Sequence, residues 1–192
     1  MPEKVITTYL EITEKDQFRP KEGYLEKMEV REVRTEPYLS AVLFAGVGLP
    51  WSWYSRLGWT MEEWDDYLSD HNISTYLCFS ENELVGYYQL EFDDSSSAEI
   101  RYLGLFPQYM GRSLGGMILS HAIRSAFDKG ATRIWLHTCT KDADAALGNY
   151  LARGFRVFRT KEEEEDVPDK NGLIARINRF FSSYIDRYGN LS

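Results

Sequence analysis

The stretch YLGLFPQYMGRSLGGMILSHAI, Tyr102 to Ile123, with four glycines in all, opens as an apolar strand, breaks at Pro107, passes through a serine and the last three of those glycines, and closes as an amphipathic helix. Removing bulk just where a helix begins leaves the first-turn amides unobstructed at the positive end of the helix dipole. Such a terminus suits a pyrophosphate. The same glycines also suit a tight turn and close helix packing. Two nucleotide-binding patterns fail here. A Walker loop needs Lys and then Ser or Thr after its last glycine, but Met117 follows Gly116; a dinucleotide fingerprint needs a second glycine where Ser113 stands.

Working outward, EIRYLGLF (Glu99 to Phe106) is a strand, and the helix over Ser113 to Lys129 stops at Gly130, where a left-handed cap fits. TRIWLHTCT predicts another strand, DADAALGNYLARG a short helix and FRVFRT a last strand. A strand, helix, strand step of this length favours a parallel right-handed crossover, so a mixed α/β sheet follows. In the first half, Val5 to Ile12 and Glu29 to Arg34 read as strands, and Thr35 as the cap of a helix stopped by glycine. Thr60 and Glu63 form a capping box ahead of an apolar face of Trp64, Tyr67 and Leu68. Residues 74–92 read as a hairpin turning at SENEL. The acidic run KEEEEDVPD (Lys161 to Asp169) reads as a solvated linker. It leads to a helix with apolar positions at Leu173, Ile177, Phe180 and Tyr184, packed on the body or on a partner subunit.

At 192 residues, one domain is expected, with residues 1–98 ahead of the glycine-bearing core at 99–160 and the linker and last helix at 161–192. The net charge of −8 argues against a nucleic-acid binder and permits a cationic substrate, but with much of the acid in one run it says little about the partner. Cys78 and Cys139 lie in apolar strands with no leader-like segment ahead of them, so a reduced cytoplasmic setting is expected. The longest nearly apolar run, Tyr38 to Pro50, is too short to span a bilayer. His71, His121 and His137 join no cluster at ligand spacing, and no metal is expected.

The opening stretch resembles the acyl-CoA loop of the GNAT acetyltransferase superfamily: Gln or Arg, two residues, Gly, one residue, then Gly or Ala. Gln108, Gly111 and Ser113 take those places, with serine as a small departure. The resemblance continues through RIWLHTCT and ALGNY to Gly154-Phe155, with Tyr150 four residues before the glycine. It implies the GNAT α/β fold (α+β), a mixed sheet of six to seven strands, here with an added C-terminal helix. It implies acetyl-CoA as cosubstrate, its pyrophosphate cradled by the loop from Gln108 and Met110 through Gly111, Arg112, Ser113, Leu114, Gly115 and Gly116. Main-chain groups of Leu103, Gly104, Leu105 and Phe106 would hold the pantetheine arm. Thr138 and Asp142 flank it from the next strand, Asp142 standing near where the family often has Asn.

Acetyl transfer to an amine needs a base, an oxyanion donor and an acid for the leaving thiolate. The resemblance offers Glu99 as the base, acting directly or through water, the amide of Leu105 as oxyanion donor, and Tyr150 as the acid. Strand alternation puts Tyr102 on the opposite face from Glu99 unless a bulge near Gly104 shifts the register. Trp51, Trp53 and Arg56 are expected near the acceptor with Tyr102, while Trp64 belongs to the core. The aromatic rings could grip an aromatic amine or a cation. Nothing near Cys139 in sequence lowers its pKa, which disfavours a covalent cysteine. The expected activity is N-acetylation of a small-molecule primary amine by direct attack in a ternary complex. The alternatives are a protein or peptide N-terminal acetyltransferase and a non-catalytic acyl-CoA sensor; a homodimer is also open.

Overall fold

The computed structural model describes residues 2–70 and 72–189, so His71 lies outside the described residues. Seven strands, β1 (Pro2–Ile12), β2 (Glu29–Val33), β3 (Asn72–Ser80), β4 (Glu83–Phe92), β5 (Ser97–Leu105), β6 (Arg133–Cys139) and β7 (Arg156–Asp166), form one sheet. Its order is β2-β3-β4-β5-β6-β1-β7. Only β5 and β6 are parallel, joined by the crossover helix α4 (Gly115–Asp128); every other pairing is antiparallel. The four-residue α1 (Tyr24–Lys27) and α4 cover one face. On the other pack α2 (Pro37–Gly48), α3 (Met61–Asp70) and α6 (Lys170–Tyr188), while α5 (Ala145–Ala152) links β6 to β7. The core is therefore two-sided: Ile118, Leu119, Ile123, Leu90 and Ile134 beneath α4, and Phe44, Leu57, Trp64 and Phe180 beneath α2.

Local chemistry sets the joints. The β3–β4 hairpin turns on Glu81 and Asn82 at φ 52° and 66°, the left-handed pair that a two-residue turn with the sheet's twist requires. Thr60 and Glu63 do close a capping box, the Thr60 amide donating to Glu63 Oε2 (2.7 Å) and the Glu63 amide to Thr60 Oγ1 (3.2 Å). Thr35 does not cap α2. That helix starts at Pro37 with Glu36 before it, and the Thr35 hydroxyl meets the Thr75 hydroxyl across the sheet at 2.8 Å.

The acidic run is a strand where a linker was expected. Lys161 to Asp166 stay exposed, but β1 pairs with them from Pro2↔Asp166 to Thr7↔Lys161, and Lys4 and Lys141 meet Glu162 and Glu165, each at 2.9 Å. The run thereby makes a charged outer edge that discourages further strand pairing. The last helix packs on its own chain: Phe180 is buried, Arg179 pairs with Glu63 and Arg187 with Asp65. Among the described residues no helix is long and apolar enough to cross a membrane.

Candidate functional site

β5 stays beside β6 for only three residues, Ser97↔Arg133, Ala98↔Ile134 and Glu99↔Trp135, and then parts from it. Its other edge remains on β4. The Phe106 amide donates to the Val85 carbonyl (2.9 Å), and amides alternate edge to edge along a strand, so those of Leu105 and Leu103 face the open side. The β4–β5 register slips once: Gln89 faces Tyr102 while Leu90 faces Ile100, leaving Arg101 as the extra residue of a bulge. Gln89 and Glu91 point to one face of β4, so their partners Tyr102 and Glu99 share that face too. Tyr102 is thus brought to Glu99's side by a bulge at Arg101, not by one near Gly104. Gly104 has another reason to be glycine, because a Cβ there would stand 2.4 Å from Cγ1 of Val47 on α2.

The chain then turns through two left-handed corners, Gly111 at φ 75° and Ser113 at φ 60°. The second corner explains why a small residue suits position 113. Leu114 accepts from the amides of Met117 (2.9 Å) and Ile118 (3.0 Å), whereas the amides from Gly111 to Gly116 have no partner among the described residues. α5 leans over them. A Cβ on Gly116 would meet Arg153 Nη1 at 2.8 Å and Asn149 Oδ1 at 3.2 Å, with the Lys21 side chain at 3.6 Å. Arg153 Nε is buried without a partner. Free amides, a helix N-terminus and two cationic side chains meet at one spot, which fits a phosphate-bearing group.

From this loop a cleft of 1480 Å³ runs through the β5–β6 gap to a lobe walled by Trp51, Trp53, Trp59, Phe44, Arg56 and Tyr102. His137, Cys139, Asp142 and Tyr150 line its β6–α5 side. Asp142 accepts from Thr138 Oγ1 (2.7 Å) and the Cys139 amide (3.0 Å) with one oxygen, and from the Trp53 indole (3.2 Å) with the other. The last bond crosses the cleft and ties the tryptophan-rich segment to the end of β6. Trp53 itself sits against Gly48, where a Cβ would lie 2.4 Å from its ring. Burial, and secondarily the Asp142 charge, push the Tyr150 phenol and the Cys139 thiol above their ordinary pKa ranges, so both hold their protons at neutral pH.

The sequence profile of the Acetyltransferase (GNAT) family matches residues 28–155, two thirds of the chain and all of the β5, loop and α4 unit. The chain belongs to the GNAT acetyltransferase family. The general chemistry of that family is acyl transfer from acetyl-CoA. Uncharacterized N-acetyltransferases of Mycobacterium bovis and Mycobacterium tuberculosis are 28% identical over 105 residues, covering 53% of this chain and 67% of theirs. Among solved structures, a GCN5-related N-acetyltransferase from Sphaerobacter thermophilus is similar with a TM-score of 0.59 at 14% identity, over 88% of this chain and 53% of that one. This chain therefore spans about half the length of that protein. A Bacillus subtilis acetyltransferase, solved in complex with CoA, gives 0.52 at 21% identity, over 68% of this chain and 77% of that one. These structural likenesses show the fold.

Within this GNAT chain, most residues singled out in the sequence line one cleft: Leu103, Gly104, Leu105, Met110, Gly111, Ser113, Leu114, Gly115, Gly116, Asp142 and Tyr150, with Trp51, Trp53, Arg56 and Tyr102 at the far end. Five do not. Phe106 packs under α2, its ring 2.8 Å from a Cβ placed on Gly46. Gln108 is exposed on a single 3₁₀ turn, Arg112 stacks outward over Tyr109 (5.3 Å), and Thr138 is buried and committed to Asp142. Glu99 is only 5% exposed. Its carboxylate accepts from Arg101 Nη1 at 3.1 and 2.9 Å, and its Oε1 lies 3.4 Å from His137 Nδ1. Arg101 and His137 line the cleft in its stead. Sequence reasoning missed Lys21, Asn149, Arg153 and His137. The four-residue spacing of Asn149 and Arg153 on one helix face was a usable signal; Lys21 arrives from a distant loop and carried none.

Proposed function

We propose that this protein is an N-acetyltransferase moving the acetyl group of acetyl-CoA to the primary amine of a small molecule by direct attack in a ternary complex. The observation that carries this reading is the single cleft joining the free-amide loop, through the β5–β6 gap, to a walled aromatic lobe. Lys21, Arg153 and the amides of Gly111 to Gly116 would hold the pyrophosphate, and the open edge of Leu103 to Leu105 the pantetheine arm. The Leu105 amide faces the gap and can donate to the carbonyl oxygen as charge develops there. Tyr150, protonated at neutral pH, can donate to the departing thiolate. For the base, Glu99 lies behind His137, so the His137 imidazole takes the amine proton and Glu99 orients and compensates it. The raised Cys139 pKa disfavours an acyl-cysteine route, which supports direct attack.

The lobe walled by tryptophans, with Trp53 and Asp142 bonded across the cleft, supports a small acceptor over a peptide, which would need an open groove. A CoA-release assay over a panel of small amines tests the proposal. Calorimetric binding of acetyl-CoA with no turnover on any amine would support the sensor reading, and turnover confined to peptides the N-terminal acetyltransferase reading.

A further inference from the structure

We propose that Arg56 is the anchor for a carboxylate on the acceptor, so that the amine acetylated belongs to an amino acid or a similar amino carboxylate. This rests on the acetyltransferase reading and narrows its substrate class. Arg56 lines the lobe of the cleft yet is only 8% exposed. Its guanidinium carbon lies 3.7 Å from the ring centre of Tyr67, 4.4 Å from that of Trp59, 5.6 Å from that of Tyr102 and 5.9 Å from that of Trp64. Among the described residues no carboxylate comes within ion-pair distance of it, its hydrogen-bond partner is the neutral Tyr67 phenol, and its Nη1 is buried with nothing to donate to.

A buried cation without a counter-charge is costly, and ring faces compensate only part of that cost. The nearby charges are committed elsewhere. Glu91 accepts from the Tyr67 hydroxyl (2.8 Å) and stands 3.8 Å from Arg101, Arg101 is held by Glu99, and Arg176 donates to the Tyr54 carbonyl (2.7 Å). Two more buried donors on this side of the sheet, Trp64 Nε1 and the Tyr87 hydroxyl, also have no partner. The Arg56 charge reaches the Tyr87 phenol. A guanidinium at the wall of the cleft, with a buried N–H that has no acceptor, calls for an acceptor atom bearing negative charge. One guanidinium, already shared with the Tyr67 phenol, matches a singly charged carboxylate better than a phosphate dianion.

The aromatic cage does not act as a cation trap, because the cation it holds is the protein's own. Although the whole chain is acidic, the lobe facing the acceptor presents Arg56, Arg101 and Arg176. Tyr102 places this anchor next to the reaction point, since its ring is within reach of Arg56 and its backbone lies two residues before Gly104 on the open strand. An amino carboxylate bridging the two would have its charge at Arg56 and its amine directed at the gap between β5 and β6.

The test uses the full chain, acetyl-CoA, and the proteinogenic amino acids each paired with its own carboxamide. The expected result is that every acceptor used is favoured over its carboxamide in kcat/KM by roughly 30-fold or more, the usual effect of removing one partner of a buried charge pair. Arg56→Met should erase that preference, and Arg56→Lys should keep part of it, with acetyl-CoA affinity unchanged in both. If Arg56→Met fails to fold, the wild-type preference and the Arg56→Lys series still decide. Carboxamides or simple alkyl amines used as well as the amino acids would overturn the Arg56 assignment and leave the acetyltransferase reading intact. Acetyl-CoA binding without turnover on any amine would overturn both.

Discussion

Gly111 offers a clean perturbation of the loop, because its backbone is left-handed (φ 75°) while a Cβ there would meet nothing within 4 Å. Gly111→Ala therefore adds backbone strain and no collision. An L-residue forced into that region costs about 1–2 kcal/mol. This strain must surface in one of two places. If the loop keeps its shape, the free protein loses that stability, a fall of roughly 2–8 °C in Tm for a chain of this size. If the loop relaxes, the binding-competent shape becomes the minor one, and the Kd for acetyl-CoA rises about 5- to 30-fold. The amides from Gly111 to Gly116 hold the loop by no hydrogen bond of their own, so relaxation is cheap and the loss should fall on affinity. Calorimetric titration with acetyl-CoA and a thermal melt of the free protein read the two quantities separately. Gly111→Asn, which tolerates the left-handed region better, should recover most of the loss. A Tm within 1 °C and a Kd within about twofold of wild type for Gly111→Ala would refute the argument.

The other positions give sharper chemical readouts. Tyr150→Phe should lower kcat by about 10²-fold or more while leaving the acetyl-CoA Kd near wild type, as loss of a general acid does; an unchanged kcat in the amine assay would remove the phenol from the mechanism. His137→Gln and Glu99→Gln should each slow acetyl transfer, and the double variant should be little slower than the worse single one, since the two act as a unit; additive losses in single-turnover measurements would separate them. Because burial raises the Cys139 thiol, its alkylation by iodoacetamide should be slow at neutral pH and climb only above the ordinary thiol range, which mass spectrometry across pH reads directly. Deleting Arg101 should leave the β4 pairings in register but straighten β5 toward β6 and abolish acetyl-CoA binding; Arg101→Gln keeps the bulge and should keep that binding in the same titration.

What was legible in the chain was what is local. The loop could be read from Gly111 and Gly115-Gly116 because glycine content, helix onset and free amides are all set within a few residues. Thr60 with Glu63, and the hairpin at Glu81-Asn82, were legible for the same reason. The place of β1 was not. Nothing in VITTYLEI says that it inserts between β6 and β7, and this distant pairing is what turns the acidic run from an expected linker into a strand. Lys21, Arg153 and the Trp53 to Asp142 bond likewise depend on segments brought together by the whole fold.

The bulge at Arg101 was the costliest feature to miss, because it sits between two otherwise correct readings. Counting by twos along EIRYLGL sends Tyr102 to the α4 face, where it would join a filled apolar core, and leaves Glu99 alone on the acceptor face. One extra residue reverses that parity, and no glycine or proline marks it. The same residue supplies the guanidinium that compensates buried Glu99, and β5 parts from β6 immediately before it, after Glu99. Bulges bend the strand that carries them. The turn in parity and the charge beside Glu99 thus share one position, Arg101, and the cleft opens next to it. Tyr102 owes its place between Arg56 and the open strand to that position, and the acceptor lobe reaches the reaction point through Tyr102.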